Sequence, residues 1–450
     1  VADAGPTIQR AINECSADGR ELVIDSLRNG RFITNQELTT LRAEVVSGEI
    51  IGQKIRIVGN EGHITHGENG MYSDDSLHGS VIQAGPSFPL GGTVLDILAG
   101  GWGTVVEGFA IDGSSRAARC LRQGSGWTKV RDMMYANIRL SAGHSDGDGN
   151  WCHLVKPDET LVSSIMVGRG NDGPNEGFLQ WMAEGLRCTT NYQDTTASFA
   201  GAIGGFAVRH GGTEYPTDGV ADEMFFNTMK NTFSGGEAYG ASFRHCGGTT
   251  ISRMHPSAAK NNSGVNSSAI GIELAANALS ARQLYLDTQA WTFGTSGDGG
   301  AFCRIDGNEI NVEDVRVLYP GSSPTIEAGF ALFAIKNTCY GVTIRMVKIR
   351  NDGTGNPRVP LSGSDLPDYL CRLIGGAPAA GTNAGEDFMV LVDDVQSYGV
   401  PWDNAGTTIP YGIHDNPGTT SHTGDIYAGM TTWNSGKSKF RWRDVLCNFD

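Results

Sequence analysis

Apolar residues in this chain recur in a six-residue arrangement: apolar, any, any, apolar, any, apolar. It reads VEGFAI from Val106, VRDMMY from Val130, VSSIMV from Val162 and IGGFAV from Ile203. Further copies are ARQLYL from Ala281, VEDVRV from Val312 and IRMVKI from Ile344, with a looser VDDVQS from Val392. FNTMKN from Phe226 and ISRMHP from Ile251 fill the interval between them. Successive copies begin 23 to 48 residues apart, which suits one coil of a solenoid with insertions of variable length. The six residues predict two short strands meeting at a corner. The first apolar residue ends one strand, two residues turn, and the last two apolar residues alternate inward on the next strand. A coil of this kind cannot bury its own apolar face, so neighbouring coils must stack.

The N-terminal stretch GPTIQRAINECSADG has a different period. Ile8, Ala11, Ile12 and Cys15 fall on one face of a helix, Pro6 suits its first turn, and Gly19 suits its end. ELVIDS follows as a strand. A helix in this place covers the open strand edges of the first coil. The expected fold class is therefore all-β, a single-stranded parallel β-helix with an N-terminal capping helix. The cap and first strands take residues 1–50, the coils with their loop insertions 51–400, and an irregular cap or association segment 401–450. A β-sandwich would need frequent Asn-Gly or Asp-Gly hairpins between alternating runs, and the chain has few.

The helix AGPTIQRAINEC, the strand ELVIDS, the later KIRIVGN and the rungs VEDVRVLY and VTIRMVKIRNDG resemble pectate-lyase-superfamily right-handed parallel β-helix proteins. That group includes polysaccharide lyases, glycoside hydrolases and phage tailspike depolymerases. The resemblance implies right-handed coils, a polysaccharide substrate, a homotrimer, and a place outside the cell or on a virion surface. It is a likeness of architecture, which specifies a fold better than a reaction.

The pattern also assigns outward positions. In GGFAVRHGG, Phe206 and Val208 point inward, Ala207 points outward, and His210 begins a solvated turn. The position between the two inward residues reads Ala110, Met134, Met166, Ala207, Lys230, His255, Tyr285, Arg316, Lys348 and Gln396 down the chain. Met134 and Met166 suggest an exposed apolar side for association with other subunits. From Lys230 to Lys348 the positions are basic or aromatic. The formal net charge is −15, which argues against general nucleic-acid binding, so a local basic row is conspicuous. Lys230, His255, Tyr285, Arg316 and Lys348, with nearby Trp291, form a candidate groove for an acidic glycan. Its cations would meet carboxylates or sulfates, and its rings would meet sugar faces. No apolar run is long enough to cross a membrane. The nine cysteines show no C-x-x-C pairing and read as small buried residues.

Three function classes fit such a groove. Hydrolysis needs two carboxyl groups, for which Asp287 and Glu313 are the candidate pair, with Asp306 and Glu309 upstream. A polysaccharide lyase instead neutralises a uronate carboxylate and removes the proton beside it. Arg316 and Lys348 would neutralise, and His255, Tyr285 or Lys230 would be the base. The third class is a non-catalytic virion protein or adhesin that binds glycan. The expected reaction is carboxylate-assisted hydrolysis of a bacterial surface or extracellular polysaccharide without a cofactor. Glu214, Asp218, Asp222 and Glu223 are a second carboxylate cluster that could serve hydrolysis or hold calcium, although their spacing matches no recognised calcium loop, and the Asp-rich stretch SAGHSDGDGN is a further place for a metal.

Overall fold

The computed structural model describes residues 2–25, 30–41, 44–46, 49–51, 54–59, 79–98, 103–125, 128–138, 141–145, 151–152, 163–167, 182–184, 187–188, 195–197, 202–208, 217–226, 229–231, 237–244, 246–256, 259–261, 268–287, 300–319, 331–336, 338–351, 369–374, 389–398 and 439–448. They form one helix and many short strands. The chain divides into two compact units, residues 1–197 with 204–226, and residues 198–203 with 227–450. Among the described residues no helix is long and apolar enough to cross a membrane.

In the first unit the chain visits three parallel sheets in turn. Val105–Glu107 belongs to the first sheet, Ala110–Asp112 to the third and Arg119–Gln123 to the second; Lys129–Arg131 returns to the first. Strands pair in parallel from one circuit to the next, so Val106 lies opposite Val130 and Ile111 opposite Tyr135. The exception is the antiparallel pair Glu44–Val46 and Glu49–Ile51. The second unit repeats the scheme. Thr250–Pro256, Ser280–Asp287, Asn311–Tyr319, Val342–Asn351, Met389–Tyr398 and Lys439–Asn448 follow one another in one parallel sheet. Glu237–Arg244, Ser268–Ala275, Ala301–Ile305, Ala331–Lys336 and Tyr369–Ile374 follow one another in a second. This all-β arrangement of stacked parallel sheets is consistent with a parallel β-helix.

The corner explains the six-residue pattern. Its third residue adopts a left-handed conformation in coil after coil: Gly108, Asp132 and Glu223 in the first unit, and Arg253, Gln283, Asp314, Met346 and Asp394 in the second. Left-handed backbone bends the strand, and it disfavours most side chains by roughly 1–2 kcal/mol. Burial of the apolar positions around it offsets that cost. Ala281, Leu284, Val312, Val315, Ile344 and Val347 have no exposed surface. Adjacent coils also touch backbone to backbone at some turns. A Cβ on Gly307 would lie 2.1 Å from the Ala276 carbonyl oxygen, so this contact requires glycine.

Three expectations need correction. The copy at Phe226 is out of phase: the corner is at Ala221–Phe226, where Ala221, Met224 and Phe226 are buried and Glu223 has a φ of 52°. The copies at Val162 and Ile203 belong to the second sheet, where Ile165 pairs with Phe206 and Met166 with Ala207. Phe206 and Val208 are buried as expected, and so is Ala207. Met134 is not an exposed apolar side chain. It is 3% exposed and packs with Val81, Ala110 and Ala136. The Met166 side chain and His210 lie outside the described residues.

The helix Gly5–Asp18 carries Pro6 in its first turn and ends on left-handed Gly19. Its buried face is Gly5, Ile8, Ile12 and Ser16, while Ala11 and Cys15 are half-buried. It packs on Glu21–Ile24, Arg31–Thr34 and Leu38–Thr39, the strands that begin the three sheets. Gln9 stands in for a missing strand. Its Nε2 donates to the Thr39 carbonyl at 2.7 Å, and its Oε1 accepts from the Thr39 N–H at 2.8 Å. Asp3 Oδ1 accepts from the Asn35 N–H at 3.2 Å in the same way. Replacing Gln9 with alanine leaves both Thr39 groups without these partners. It should cost about 1–2 kcal/mol in urea unfolding, from two hydrogen bonds of about 1 kcal/mol each.

Candidate functional site

The first sheet of the second unit carries two different rows of register positions between its buried residues. The second position of the corner reads Arg282, Glu313, Arg345, Asp393 and Arg443, each opposite the next in register. Charges alternate along this row, and Glu313 Oε2 accepts from Arg345 Nη2 at 2.9 Å. Opposite charges facing each other across strands stabilise a sheet, by roughly 0.2–1 kcal/mol a pair. Glu313 thus has a structural task, holding neighbouring coils in register.

The fifth position behaves differently. Tyr285 lies opposite Arg316, Arg316 opposite Lys348, and Lys348 opposite Gln396. His255 extends the row by ring contact, its centroid 4.6 Å from that of Tyr285 at an interplanar angle of 72°. The edge-to-face geometry suits the positive edge of one ring and the negative face of the other. The row expected from the sequence at His255, Tyr285, Arg316 and Lys348 therefore exists, but Lys230 is not in it. Lys230 lies on Met229–Asn231 and pairs with Lys260 of Ala259–Asn261. That pair belongs to a different sheet from the row, a consequence of the phase error at Phe226.

A pocket of about 300 Å³ opens along this row, lined by Arg253, His255, Gln283, Tyr285, Asp314 and Arg316 over a floor of Met254 and Leu284. The left-handed corners build its wall, since Arg253, Gln283 and Asp314 are all corner residues. Strand alternation supplies the rest. Met254 and Leu284 face the core with no exposed surface, while Tyr285 is 36% exposed. Arg316 is exposed, and its Nε donates to Asp314 Oδ1 at 3.4 Å. His255 is half-buried, and burial lowers its pKa from 6.5 to about 4, because removal from water disfavours the imidazolium. At neutral pH the pocket therefore holds a neutral imidazole beside guanidinium groups. Sequence reasoning missed Arg253, Gln283 and Asp314. Their signal was the third place in the pattern, read only as a turn.

The other candidates do not gather here. Glu313 is opposite Arg282 in register, while Asp287 is opposite Leu318. Five residues of extended chain separate Arg282 from Asp287, on the order of 15 Å, far beyond the 5–9.5 Å between a glycosidase's carboxyl groups. The corner at Gln283 bends this path but does not fold it back. Asp306 accepts from Lys336 Nζ at 2.9 Å, and Glu309 sits in a left-handed turn. Asp222 Oδ1 accepts from the Glu223 N–H at 3.0 Å, which ties it to its own corner. Trp291, Glu214 and the side chain of Asp287 lie outside the described residues. Among the described residues, no three metal-ligating side chains converge. Cys120, Cys246, Cys303 and Cys339 are buried free thiols, and burial raises the pKa of each. No protein-family model matches this chain and no curated protein matches it, so its chemistry has to be argued from the groove itself.

Proposed function

We propose that the chain is a right-handed parallel β-helix of the pectate-lyase-superfamily kind, and that its groove cleaves an acidic polysaccharide by β-elimination. The observation that carries this reading is the opposition of Arg316 and Lys348. Like charges facing each other across strands weaken a sheet, yet the neighbouring row alternates its charges without fault. A repulsive pair beside two stacked rings is an anion site in waiting, because a bound carboxylate turns repulsion into attraction.

The residues divide the work as follows. Tyr285 offers a ring face to a sugar. Arg316 and Lys348 neutralise the uronate carboxylate, which acidifies the carbon-bound proton beside it. His255 accepts that proton on its neutral imidazole, and the electron pair expels the glycosidic oxygen from the neighbouring carbon. The tyrosine hydroxyl returns a proton to the leaving oxygen. Elimination fits the groove better than hydrolysis, because Asp314 is the one carboxylate among the lining residues and it engages Arg316.

The test is incubation with a panel of acidic and neutral bacterial polysaccharides, read by mass spectrometry and ultraviolet absorbance. Elimination gives oligosaccharides one water lighter than hydrolytic products, with unsaturated-uronate absorbance. Saturated products with new reducing ends would overturn elimination. Binding without cleavage would support an adhesin or structural virion protein.

A further inference from the structure

We infer that Gln283 determines which sugar the groove accepts, by reading two adjacent free hydroxyls on the rim of the ring that stacks on Tyr285. This role rests on the glycan reading above and adds a selection among sugars of equal charge. Gln283 lines the pocket together with Tyr285, two residues further along its own strand, and with Asp314 on the next coil. It is a corner residue with a φ of 55°. Left-handed backbone favours Gly, Asn and Asp and disfavours longer side chains. Five such corners follow one another in this sheet: Arg253, Gln283, Asp314, Met346 and Asp394. The two aspartates suit the conformation. Met346 is half-buried, so packing accounts for it, and Arg253 engages other groups of the chain. Gln283 is exposed, and among the described residues its carboxamide has no hydrogen-bond partner. Neither packing nor a bond within the fold accounts for glutamine at a strained position. Strain held by a residue that lines a pocket points to a ligand.

The chemistry of a carboxamide suits a diol. Its oxygen accepts and its nitrogen donates, so one hydroxyl donates to Oε1 while its neighbour accepts from Nε2. A pyranose lying flat on an aromatic ring carries its equatorial hydroxyls outward around its rim. A carboxamide at the rim meets two neighbouring equatorial hydroxyls at once. Inverting either hydroxyl carries it out of the plane of the rim, and esterifying either removes a donor. A site built to hydrogen-bond a hydroxyl discriminates against the sugar that lacks it there, because a polar group of the site is then left unpaired. The ligand class is therefore a uronate whose stacked ring keeps two adjacent equatorial hydroxyls unsubstituted.

Saturation-transfer NMR titrations of the full chain with glucuronate, galacturonate and mannuronate test this. All three carry one carboxylate. Glucuronate has equatorial hydroxyls on C2, C3 and C4, whereas galacturonate keeps only the pair on C2 and C3, and mannuronate only the pair on C3 and C4. The unmodified protein should bind glucuronate and one of its two epimers alike and the other about tenfold more weakly. Gln283→Gly should bring all three within about twofold of one another, at the level of the weak epimer. Its Tm should match or exceed that of the unmodified protein, because glycine accepts left-handed backbone without strain. If the unmodified protein binds the three sugars equally, or if Gln283→Gly keeps the preference, Gln283 does not select the sugar and the glycan reading stands. A Tm lowered by several degrees would assign Gln283 to the fold and overturn the role. If the unmodified protein binds none of the three, the glycan reading falls and the role of Gln283 falls with it.

Discussion

Replacing Arg244 with methionine should destabilise the protein by about 3–5 kcal/mol at neutral pH, the cost of leaving a buried carboxylate without its counter-charge. The carboxylate is Glu273, which is 2% exposed although it occupies an outward position on the second sheet. It accepts from Arg244 Nε at 2.6 Å, from Arg244 Nη2 at 2.8 Å and from Ser242 Oγ at 2.6 Å. Burial alone would raise its pKa. The hydrogen bonds and charge of Arg244, the Ser242 hydroxyl and the charge of Arg304 outweigh burial and hold the pKa below its ordinary value. Without Arg244 the burial effect dominates and the carboxyl keeps its proton to higher pH. The sign of the pH dependence follows. In the unmodified protein a depressed carboxyl pKa contributes stability that is present above the unfolded value and is lost as pH falls through the folded value. In the variant the penalty is largest at neutral pH and shrinks as the medium is acidified toward and below the unfolded value. Urea unfolding of both proteins at several pH values checks this. Glu273→Gln combined with Arg244→Met should recover much of the loss, because neither partner is then a buried ion. A loss independent of pH and unrelieved in the double variant would show that Arg244 matters for packing alone.

Much of this fold was legible because one physical event repeats. A left-handed corner forces two inward residues to sit two apart beyond it, and the apolar spacing records that in the sequence. Where the corner lies between strong apolar residues, as at Val312 and Ile344, the row follows without ambiguity, so the sequence alone places His255, Tyr285, Arg316 and Lys348 in it. The reading failed where two phases overlapped. ADEMFF satisfies the spacing in full and FNTMKN only in part, with Asn231 at its last apolar place, but the two share Phe226 and the weaker phase was followed. The third residue could have helped, since left-handed backbone favours Gly, Asn and Asp, and Gly108, Asp132, Asp314 and Asp394 obey this preference. Arg253, Gln283 and Met346 do not, which blunts the signal. The second sheet gave false copies at Val162 and Ile203 for a related reason. Its register also skips a residue, at Ser164 opposite Gly205, so its apolar spacing looks the same. The ion pair of Glu273 was invisible to pattern reading. Alternation assigns Ser242, Glu273 and Ala334 to the outer face, and only the folded chain reveals that all three are buried.

His255 carries the other large expected effect. Under the elimination reading, His255→Ala should lower kcat/KM for the acidic polymer by roughly 10²- to 10⁴-fold, the usual worth of a positioned base. The pH profile should be distinctive. An ordinary histidine base loses activity as pH falls through about 6.5, but this one, with its pKa lowered to about 4 by burial, should hold its neutral form well below that. The acid limb of kcat/KM, which reports the free protein, is therefore expected near 4. The limb of kcat should lie higher, because a bound anion beside the imidazole favours the imidazolium. The same shift has a stability signature. Between pH 6.5 and about 4 the unfolded chain binds a proton at this site that the folded chain refuses, so the fold loses stability progressively across that interval. His255→Phe separates the two roles. It keeps an edge-to-face partner for Tyr285 and removes both the base and the titration. Loss of activity with retained Tm assigns the proton transfer to His255. Retained activity would reduce His255 to a support for Tyr285, and the proton would then have to pass to another group in the groove.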